Sequence, residues 1–349
     1  MTSDTEATEP TRRARPSRLI LAVGCLVWLY VAGLVGVWLL IRYGGDRWWF
    51  ATLMLFGPRW VYTLPLFVLV PAALFLRRRL LLPLALGAAI LLWPIMGLCL
   101  PWRSLSGPSE PSLRVLTLNL HVDAVDPHEV LALIEQIKPD MVALQECDTR
   151  GQVEWPDGWH SVRKGELAIG SPYPLRDEQI GRRNHPPSRW LPINALAAVV
   201  ETPQGDVTLV SVHLRTPRRG LEPVLSRRTL IDPSQSQVLT DEIGFRRSEA
   251  EDLRKWIDTL PGPVVIAGDL NMPTDSTIYR QCWSDRNNAF TISGWGLGHT
   301  KQSAVPGCEF GVRIDHILTG PEWLASRCWV AADVGSDHLP LVADLCRGE

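Results

Sequence analysis

The chain divides into two parts by the spacing of its apolar residues. The N-terminal part contains three long apolar stretches, at about 19–41, 57–76 and 80–101. The first and third are long enough to cross a bilayer as a helix, and the second is near the lower limit. After a segment rich in Pro, Ser and Gly, apolar residues alternate with polar ones or recur every three to four positions. This change predicts a membrane anchor with three transmembrane helices, 1–102, a linker, 103–112, and a globular domain, 113–349.

The globular part alternates between strand and helix patterns. Strands are predicted in the apolar runs at 113–121, 141–147, 195–201, 207–214, 264–273, 312–318 and 339–345. Helices are predicted at 126–140, where Asp126 is a candidate N-cap before Pro127, and at 245–262. Residues 214–245 show no such period and are predicted to form a long irregular connection. Strands and helices in alternation predict a layered α/β fold.

The arginines near the apolar stretches predict the orientation of the anchor. Residues 12–18 hold four arginines before the first stretch, and Arg77, Arg78 and Arg79 fill the connection between the second and third. The opposite flanks hold more scattered arginines, with Asp46 among them. Cytoplasmic flanks carry the excess of Lys and Arg. We therefore predict a multi-pass protein of the plasma or inner membrane, with its globular domain outside the cytoplasm.

Charge separates the two parts further. Of 35 basic and 37 acidic residues, residues 1–102 hold ten arginines and four acids. This leaves 25 basic and 33 acidic residues, a formal charge of −8, for residues 103–349. An acidic domain argues against tight nonspecific binding of nucleic acid, which needs a basic surface. Five arginines between 215 and 228 could attract phosphate groups or form ordinary surface ion pairs.

The cysteines indicate no zinc site. Of the seven, Cys25 and Cys99 lie in apolar stretches, and the others lack the C-x-x-C spacing typical of zinc. In a domain outside the cytoplasm some could pair, and Cys282 with Cys308 is one possibility. The odd number in the globular part leaves at least one free thiol.

Polar side chains end or follow several predicted strands. They are Asn119, Glu146, His213, Asp269, Asn271, Asp315, Asp337 and His338. In the run VVIAGDLNMP, Asp269 and Asn271 lie on the same side of the chain, because the side chains of a strand alternate with period 2. Each residue alone could be a cap or a turn residue. Together these carboxylates, amides and imidazoles have the composition of an oxygen-rich metal site with acid–base groups.

The motifs of the globular part, in their order, resemble those of the endonuclease/exonuclease/phosphatase superfamily. They are LTLNLH, LQEC, SVHL, GDLN, RIDHIL and SDHLP, and the resemblance covers roughly residues 113–346. This superfamily includes deoxyribonucleases, exonuclease III-like nucleases, neutral sphingomyelinases and inositol polyphosphate phosphatases. The resemblance implies a two-sheet α/β sandwich and a divalent-metal-dependent phosphoesterase. The anchor is similar to that of bacterial members attached to a membrane.

The resemblance also implies which residues hold metal and phosphate. Glu146, Asn119 and Asp337 match the metal-binding positions, and their hard oxygen ligands favour Mg²⁺ or Mn²⁺ over zinc. Asp269 and Asn271 match the pair that positions the attacking water and donates to the phosphoryl oxygens.

Further residues match catalytic or substrate positions. His338 resembles the general base, and Asp315 the carboxylate that orients it. His213 matches a position near the leaving group. Trp295 and His299 lie in the glycine-rich segment SGWGLGHTKQ, where superfamily members contact substrate. We consider both candidate substrate-binding residues, the alternative being a glycine-rich turn packed against the sheet.

Residues next to these positions have less specific predictions. His316 points away from Asp315 along a strand, and Cys147 follows Glu146, so both are predicted to be structural. His121 and Asp123 could be loop residues or lie at the rim of the site.

The predicted function is hydrolysis of phosphodiester bonds by a membrane-anchored, nuclease-type enzyme. Its partners are the bilayer and a phosphate-ester substrate, either nucleic acid or a phospholipid or small phosphodiester; the sequence indicates no protein partner. The alternatives are a phospholipid or inositol-phosphate phosphoesterase and an inactive membrane-bound binding module. A zinc hydrolase could draw on His213, His316 and His338, but no H-E-x-x-H motif or cysteine cluster supports it.

Overall fold

The computed structural model of the protein describes most of the chain. The described residues are 17–101, 113–122, 125–147, 153–184, 192–218, 220–221, 234–305 and 308–348. The predicted linker, 103–112, lies outside them, as do Asp123 and three arginines of the 214–245 segment, Arg219, Arg227 and Arg228.

The N-terminal part is helical. Its helices are α1 (Arg18–Leu39), α2 (Trp49–Phe56), α3 (Leu66–Leu76) and α4 (Leu81–Ile90). Shorter helical turns extend α1, α3 and α4 into three segments long and apolar enough to cross a membrane, Arg18–Gly44, Arg59–Leu76 and Arg78–Ile95. These segments coincide in position with the three predicted stretches. Most of their residues are not buried within the protein, which suits helices that face lipid.

The third segment ends earlier than predicted. Its last helical turn stops at Ile95, whereas the predicted span continued to 101. Cys99 exchanges backbone hydrogen bonds of 2.9 and 3.0 Å with Gly296 of the globular domain and joins the core of that domain. An apolar sequence pattern cannot distinguish burial against protein from burial in lipid, which explains the error.

The globular part contains two six-stranded sheets, a hairpin and four helices among the described residues. The strands are β1 (Leu113–Asn119), β2 (Met141–Gln145), β3 (His160–Lys164), β4 (Leu167–Ser171), β5 (Leu175–Arg182), β6 (Ile193–Thr202), β7 (Gly205–His213), β8 (Val264–Asp269), β9 (Asn287–Asn288), β10 (Lys301–Val305), β11 (Cys308–Val312), β12 (Asp315–Thr319), β13 (Trp323–Val330) and β14 (Leu341–Arg347). The helices are α5 (Pro127–Ile137), α6 (Ser234–Ile257), α7 (Thr277–Trp283) and α8 (Ala289–Ser293). The first sheet has the order β13-β14-β1-β2-β4-β3 and the second β5-β6-β7-β8-β12-β9, while β10 pairs with β11.

The two sheets pack face to face, and helices cover their outer faces. Inward-facing residues of both sheets, such as Val115 and Leu209, share one core. Helix α5 packs Val130 and Ile134 against the outer face of the first sheet. Helices α6 and α7 cover the second sheet, where Leu253 is buried. This arrangement confirms the predicted two-sheet α/β sandwich.

The sequence predicted some local features of the globular part correctly and others wrongly. Helix α5 begins as predicted, because the Asp126 side chain accepts the N–H of His128. The irregular connection predicted at 214–245 is wrong over its last part, since α6 already begins at Ser234. The suggested Cys282–Cys308 disulfide is also wrong, since Cys282 is a buried free thiol.

The N-terminal helical part, here called the anchor after its predicted role, is docked against one face of the globular domain. Asp46, between α1 and α2, is fully buried and pairs with Arg246 of α6 at 2.7 Å. Arg59, at the start of the second apolar segment, pairs with Asp275 at 2.5 Å. Together with the backbone bridge at Cys99, these contacts hold the domain where all three apolar segments end.

Candidate active site

The candidate site lies where strands of both sheets end. Along β1, side chains on the inner face change from Val115 in the core to Thr117 and then to Asn119. Strands β7 and β8 likewise run from apolar core residues to His213 and Asp269. Period-2 alternation therefore places apolar side chains in the core and polar ones at its open edge, on the same strand face.

Strand register brings three of the predicted residues side by side. His213 of β7 is paired with Asp269 of the parallel strand β8, and Asp269 with Asp315 of the antiparallel strand β12. Gly268, with φ of 149°, permits close approach of β7, because a Cβ there would lie 2.1 Å from the Val212 carbonyl oxygen. The second sheet itself thus sets the spacing of these side chains.

All eight strand-end residues lie in one cluster, here called the eight-residue centre. Its members are Asn119, Glu146, His213, Asp269, Asn271, Asp315, Asp337 and His338, each within 3.9 Å of another member. The side chains of Glu146 and Asp337 are 24% and 29% exposed, whereas the other six residues are buried. The two partly exposed carboxylates mark the side from which solvent enters.

His338 and Asp315 form a directed pair. The ring Nδ1–H of His338 donates to Asp315 at 2.8 Å, which leaves Nε2 facing Asp269 at 3.8 Å and Asp337 at 3.9 Å. Burial lowers the pKa of His338, but the charges of Asp315 and Asp269 outweigh it and raise the pKa above its ordinary value. Burial raises the pKa of Asp315, but His338 outweighs it and holds that pKa low. Asp315 is therefore an ionised acceptor that fixes the ring.

Asp269 accepts hydrogen bonds from two other residues of the centre. Its carboxylate accepts hydrogen bonds from the backbone N–H of Asn271 at 2.7 Å, the Asn271 amide at 2.9 Å and the Asn119 amide at 3.2 Å. Burial and the nearby charge of Asp315 nevertheless raise the pKa of Asp269. The amide of Asn271 also donates to the Leu214 carbonyl at 2.8 Å, so this asparagine orients Asp269.

The predicted metal ligands fit a hard cation. Glu146 accepts the Asn119 amide at 3.0 Å, which orders its carboxylate. Asp337 presents a buried oxygen, Oδ1, that lacks a hydrogen-bond partner, although His121 Nδ1 lies 3.0 Å away. A buried carboxylate oxygen without a donor is rare and suits a cation. Carboxylate and amide oxygens are ligands that Mg²⁺ and Mn²⁺ prefer.

A second group of potential ligands lies deeper in the centre. Ligand atoms of Asp269, Asp315 and His338 lie within 4.8 Å of one another. Because Nδ1 of His338 and the Asp315 carboxylate already satisfy each other, we regard this group as a base and its partner, and the more exposed carboxylates as the better cation site.

The surroundings of His213 favour its charged form. Burial lowers its pKa, but a 2.8 Å hydrogen bond from Nδ1 to Glu166 and the charges of nearby acids outweigh this and raise the pKa to about 9. Its other nitrogen, Nε2, lies 3.5 Å from Glu146 and 3.9 Å from Asp269. The imidazolium therefore partly offsets the negative charge of these carboxylates.

Comparison with known protein families identifies the family of this chain. A sequence profile of the Endonuclease/Exonuclease/phosphatase family matches residues 116–338, more than half of the chain, and this match includes all eight residues of the centre. The chain belongs to this family. No curated protein matches the sequence.

Several solved structures are similar to this chain. Mannosyl-6-phosphatase Bt3783 of Bacteroides thetaiotaomicron is 16% identical, with 67% of this chain and 100% of that chain covered and a TM-score of 0.50. The 3′ phosphatase NExo of Neisseria, bound to a product DNA hairpin, is 20% identical over 67% and 99%, with a TM-score of 0.48. A humanized TDP2 of D. rerio is 16% identical over 67% and 98%, with a TM-score of 0.47. At such identity, the similarity to the mannosyl-6-phosphatase shows the fold alone.

In this family member, the structure adds residues that the sequence did not single out. Glu166 binds His213 from the β3–β4 turn, and Lys301 pairs with Asp337. Ser336 donates to the Asn119 carbonyl at 2.7 Å and accepts the N–H of His338 at 3.1 Å. The spacing of Ser336 from His338 is typical of a hydroxyl that caps a turn, and this signal could have been found. Glu166 and Lys301 carry no local signal, since only strand pairing brings them in.

The candidate substrate residues lie apart from the centre. Trp295 is 75% exposed beside a surface cavity that also includes Trp329. His299 lines a cavity at the junction with the anchor, together with Arg59 and Met96. Among the described residues, neither forms a hydrogen bond to the eight-residue centre, and their proposed contact with substrate stays a prediction.

The residues predicted to be structural have structural contacts. The Asn288 amide donates to Nδ1 of His316 at 3.0 Å, and Nε2–H donates to the Met272 carbonyl at 2.9 Å. Burial lowers the pKa of His316 to about 4, so this ring stays neutral. Cys147 is buried, and burial raises the pKa of its thiol to about 12. Neither side chain takes part in the centre.

A buried ion pair links the anchor to the centre. Arg246, 2% exposed, donates from one nitrogen to Asp46 and from the other to the backbone carbonyl of Asn271, at 2.7 and 2.9 Å. Ser276 also donates to Asp46. Asn271 in turn donates to Asp269, and we therefore expect Asp46 and Arg246 to position Asn271 behind the centre.

Asp46→Asn is expected to lower kcat about tenfold with little change in KM. The substitution keeps the shape but leaves the buried Arg246 without its counter-charge, so the Asn271 backbone shifts. Steady-state hydrolysis by the full chain in detergent measures the effect. Asp275→Asn is the matched control, because it removes an ion pair across the same interface that does not reach the centre. An equal loss of kcat in both variants would show that docking alone, and not this link, affects catalysis.

Proposed function

We propose that the protein is a membrane-anchored phosphoesterase that hydrolyses phosphodiester bonds with Mg²⁺ or Mn²⁺ held by Glu146, Asn119 and Asp337. The observation that carries this proposal is the His338–Asp315 pair, whose free nitrogen faces Asp269 and Asp337. Family membership supports the same reaction class.

In this proposal His338 is the general base. Asp315 accepts the Nδ1 hydrogen, so Nε2 keeps its lone pair and takes a proton from the water that attacks phosphorus. Asp269, 3.8 Å from Nε2, orients that water. The charged ring of His213 stabilises phosphoryl oxygens as they become more negative. A bound metal ion supplies polarisation of the phosphoryl group and offsets charge during in-line displacement.

The anchor supports a position at a membrane surface. Three apolar segments are long enough to span a bilayer, and the domain docks where they end. The arginine distribution supports a cytoplasmic N-terminus and a domain outside the cytoplasm. An alkaline phosphatase fused to the C-terminus should therefore be active in cells, and an inactive fusion would overturn the orientation.

Hydrolysis of bis(p-nitrophenyl) phosphate by the full chain in detergent tests the reaction class. We expect p-nitrophenol release with Mg²⁺ or Mn²⁺, loss of release with EDTA, and recovery when excess metal is added. Supercoiled plasmid in the same buffer tests whether nucleic acid is a substrate. A folded protein that cleaves neither compound, and no phospholipid either, would contradict the proposal and favour the inactive binding module.

A further inference from the structure

A groove leads from the eight-residue centre to the anchor. It is lined by Asn271 of the centre, by Lys301, and by Phe56, the last residue of α2. Its volume is about 170 Å³. The rest of the lining is mainly apolar and includes Pro217, Leu221, Val312 and Ile314. One cavity therefore joins polar groups of the centre to an aromatic side chain of the anchor.

The polar residues that line the groove suit a phosphate group. Asn271 binds Asp269 directly, and Lys301 pairs with the candidate metal ligand Asp337. Arg218, which is exposed, also lines the groove and adds a second cation. Cationic side chains next to a metal-binding carboxylate would hold an anionic ester near the His338 nitrogen.

Phe56, in the lining of the groove, lies next to an apolar segment that is long enough to span a membrane. Phe56 precedes Arg59, where the second apolar segment begins, by three positions. Gly44 and Ile95, the domain-side ends of the other two segments, are tied to the same docked face by Asp46 and Cys99. A molecule that extends along the groove from the centre to Phe56 therefore approaches the bilayer.

We propose that the substrate is a phosphate ester of a membrane lipid, with its phosphate at the eight-residue centre and the first part of its hydrocarbon chain in the groove against Phe56. This inference rests on the proposed function, because it names the substrate of the same site. A water-soluble ester would gain nothing from the apolar walls. A nucleic acid would need a basic track, whereas residues 103–349 have a formal charge of −8.

Hydrolysis in membranes tests the inference with the full chain. The protein is reconstituted into vesicles of phosphatidylethanolamine, phosphatidylglycerol and a long-chain prenyl phosphate, and water-soluble phosphorus is followed by ³¹P NMR. The soluble controls are glycerophosphoglycerol, the deacylated head group of phosphatidylglycerol, and bis(p-nitrophenyl) phosphate. We expect kcat/KM for one intact lipid to exceed that for its deacylated form by at least about tenfold, since each buried methylene contributes.

A charge in the groove should change this preference. Val312→Asp places a carboxylate on the apolar wall, and we expect the ratio of lipid to bis(p-nitrophenyl) phosphate hydrolysis to fall about tenfold. Ile180→Asp is the matched control, a partly buried isoleucine on β5, an edge strand of the second sheet, and should leave the ratio within twofold.

The outcomes separate this inference from the proposed function. Hydrolysis of bis(p-nitrophenyl) phosphate without hydrolysis of any lipid would overturn the lipid substrate and leave the phosphoesterase in place. Equal rates for the lipid and its deacylated form, or an unchanged ratio in Val312→Asp, would also overturn it. Efficient cleavage of plasmid with inert lipids would identify a nuclease. Hydrolysis of no ester would overturn both proposals.

Discussion

Replacing His338 by Ala is expected to lower kcat for phosphodiester hydrolysis about a thousandfold with little change in KM, because a positioned general base contributes about 10²- to 10⁴-fold. Its Nδ1 is held by Asp315 at 2.8 Å, so Nε2 is the nitrogen that can take a proton from water. No other imidazole of the centre has this freedom, since the pKa of His213 is raised to about 9 and its Nδ1 is bound to Glu166. The measurement is kcat for bis(p-nitrophenyl) phosphate by the full chain with saturating Mg²⁺.

The control is His128→Ala, which removes an imidazole from the exposed start of α5 and should leave kcat unchanged. Both variants should keep the thermal unfolding midpoint within a few degrees, since the comparison requires folded protein. A loss below tenfold in His338→Ala would show that another group activates the water. Such a result would make Asp269 the next candidate, because it is the other group that faces the reacting atoms.

The pH profile of Asp315→Asn tests whether the charge of Asp315 raises the pKa of His338. The charge of Asp315 raises the pKa of His338, and the base works only when the ring is neutral. Losing this charge lowers that pKa, so the acidic limb of kcat against pH should move to lower pH while the maximum falls. An acidic limb that stays in place would show that His338 does not titrate in that limb.

The sequence predicted the centre because its members obey one simple rule. A strand that is apolar on its inner face and ends in a polar residue on that face places the polar group at the edge of the core. Asn119, His213 and Asp269 follow this rule, and strand register then brings them together. Asp315 instead begins β12, and it lies at the same edge because β12 is antiparallel to β8. Their roles come from the resemblance, since spacing alone does not separate a base from a ligand.

Contacts made between distant segments were not predictable. In the sequence, Asp46 is an acid that flanks a predicted membrane span. In the structure, it is fully buried against Arg246. The start of α6 is polar and gives a weak helical period, and Leu239 is buried there because Trp49 and Leu53 of the anchor pack against it. In each case tertiary packing decides the structure, and the local sequence pattern does not indicate which distant residue will be the partner.

Glu146→Gln is expected to raise the Mg²⁺ concentration for half-maximal activity at least tenfold and to lower kcat about a hundredfold. Gln keeps the size of the side chain and can still accept the Asn119 amide, seen at 3.0 Å, so the loss is one of charge. Electrostatic stabilisation by a bound ion is worth several kcal/mol, which corresponds to a hundredfold or more in rate. Activity against metal concentration measures both effects.

Binding of Mn²⁺ followed by electron paramagnetic resonance gives a readout that does not depend on turnover. Weaker binding in Glu146→Gln, with Glu154→Gln unchanged as the exposed control, would place the ion at the open side of the centre. Unchanged affinity with a lower kcat would instead assign the ion to Asp269, Asp315 and His338, whose ligand atoms also lie within reach of one another. In that case His338 could not be the base, because a nitrogen bound to metal has no lone pair to take a proton. The metal measurement therefore also decides whether the loss in His338→Ala reflects proton transfer or loss of a ligand.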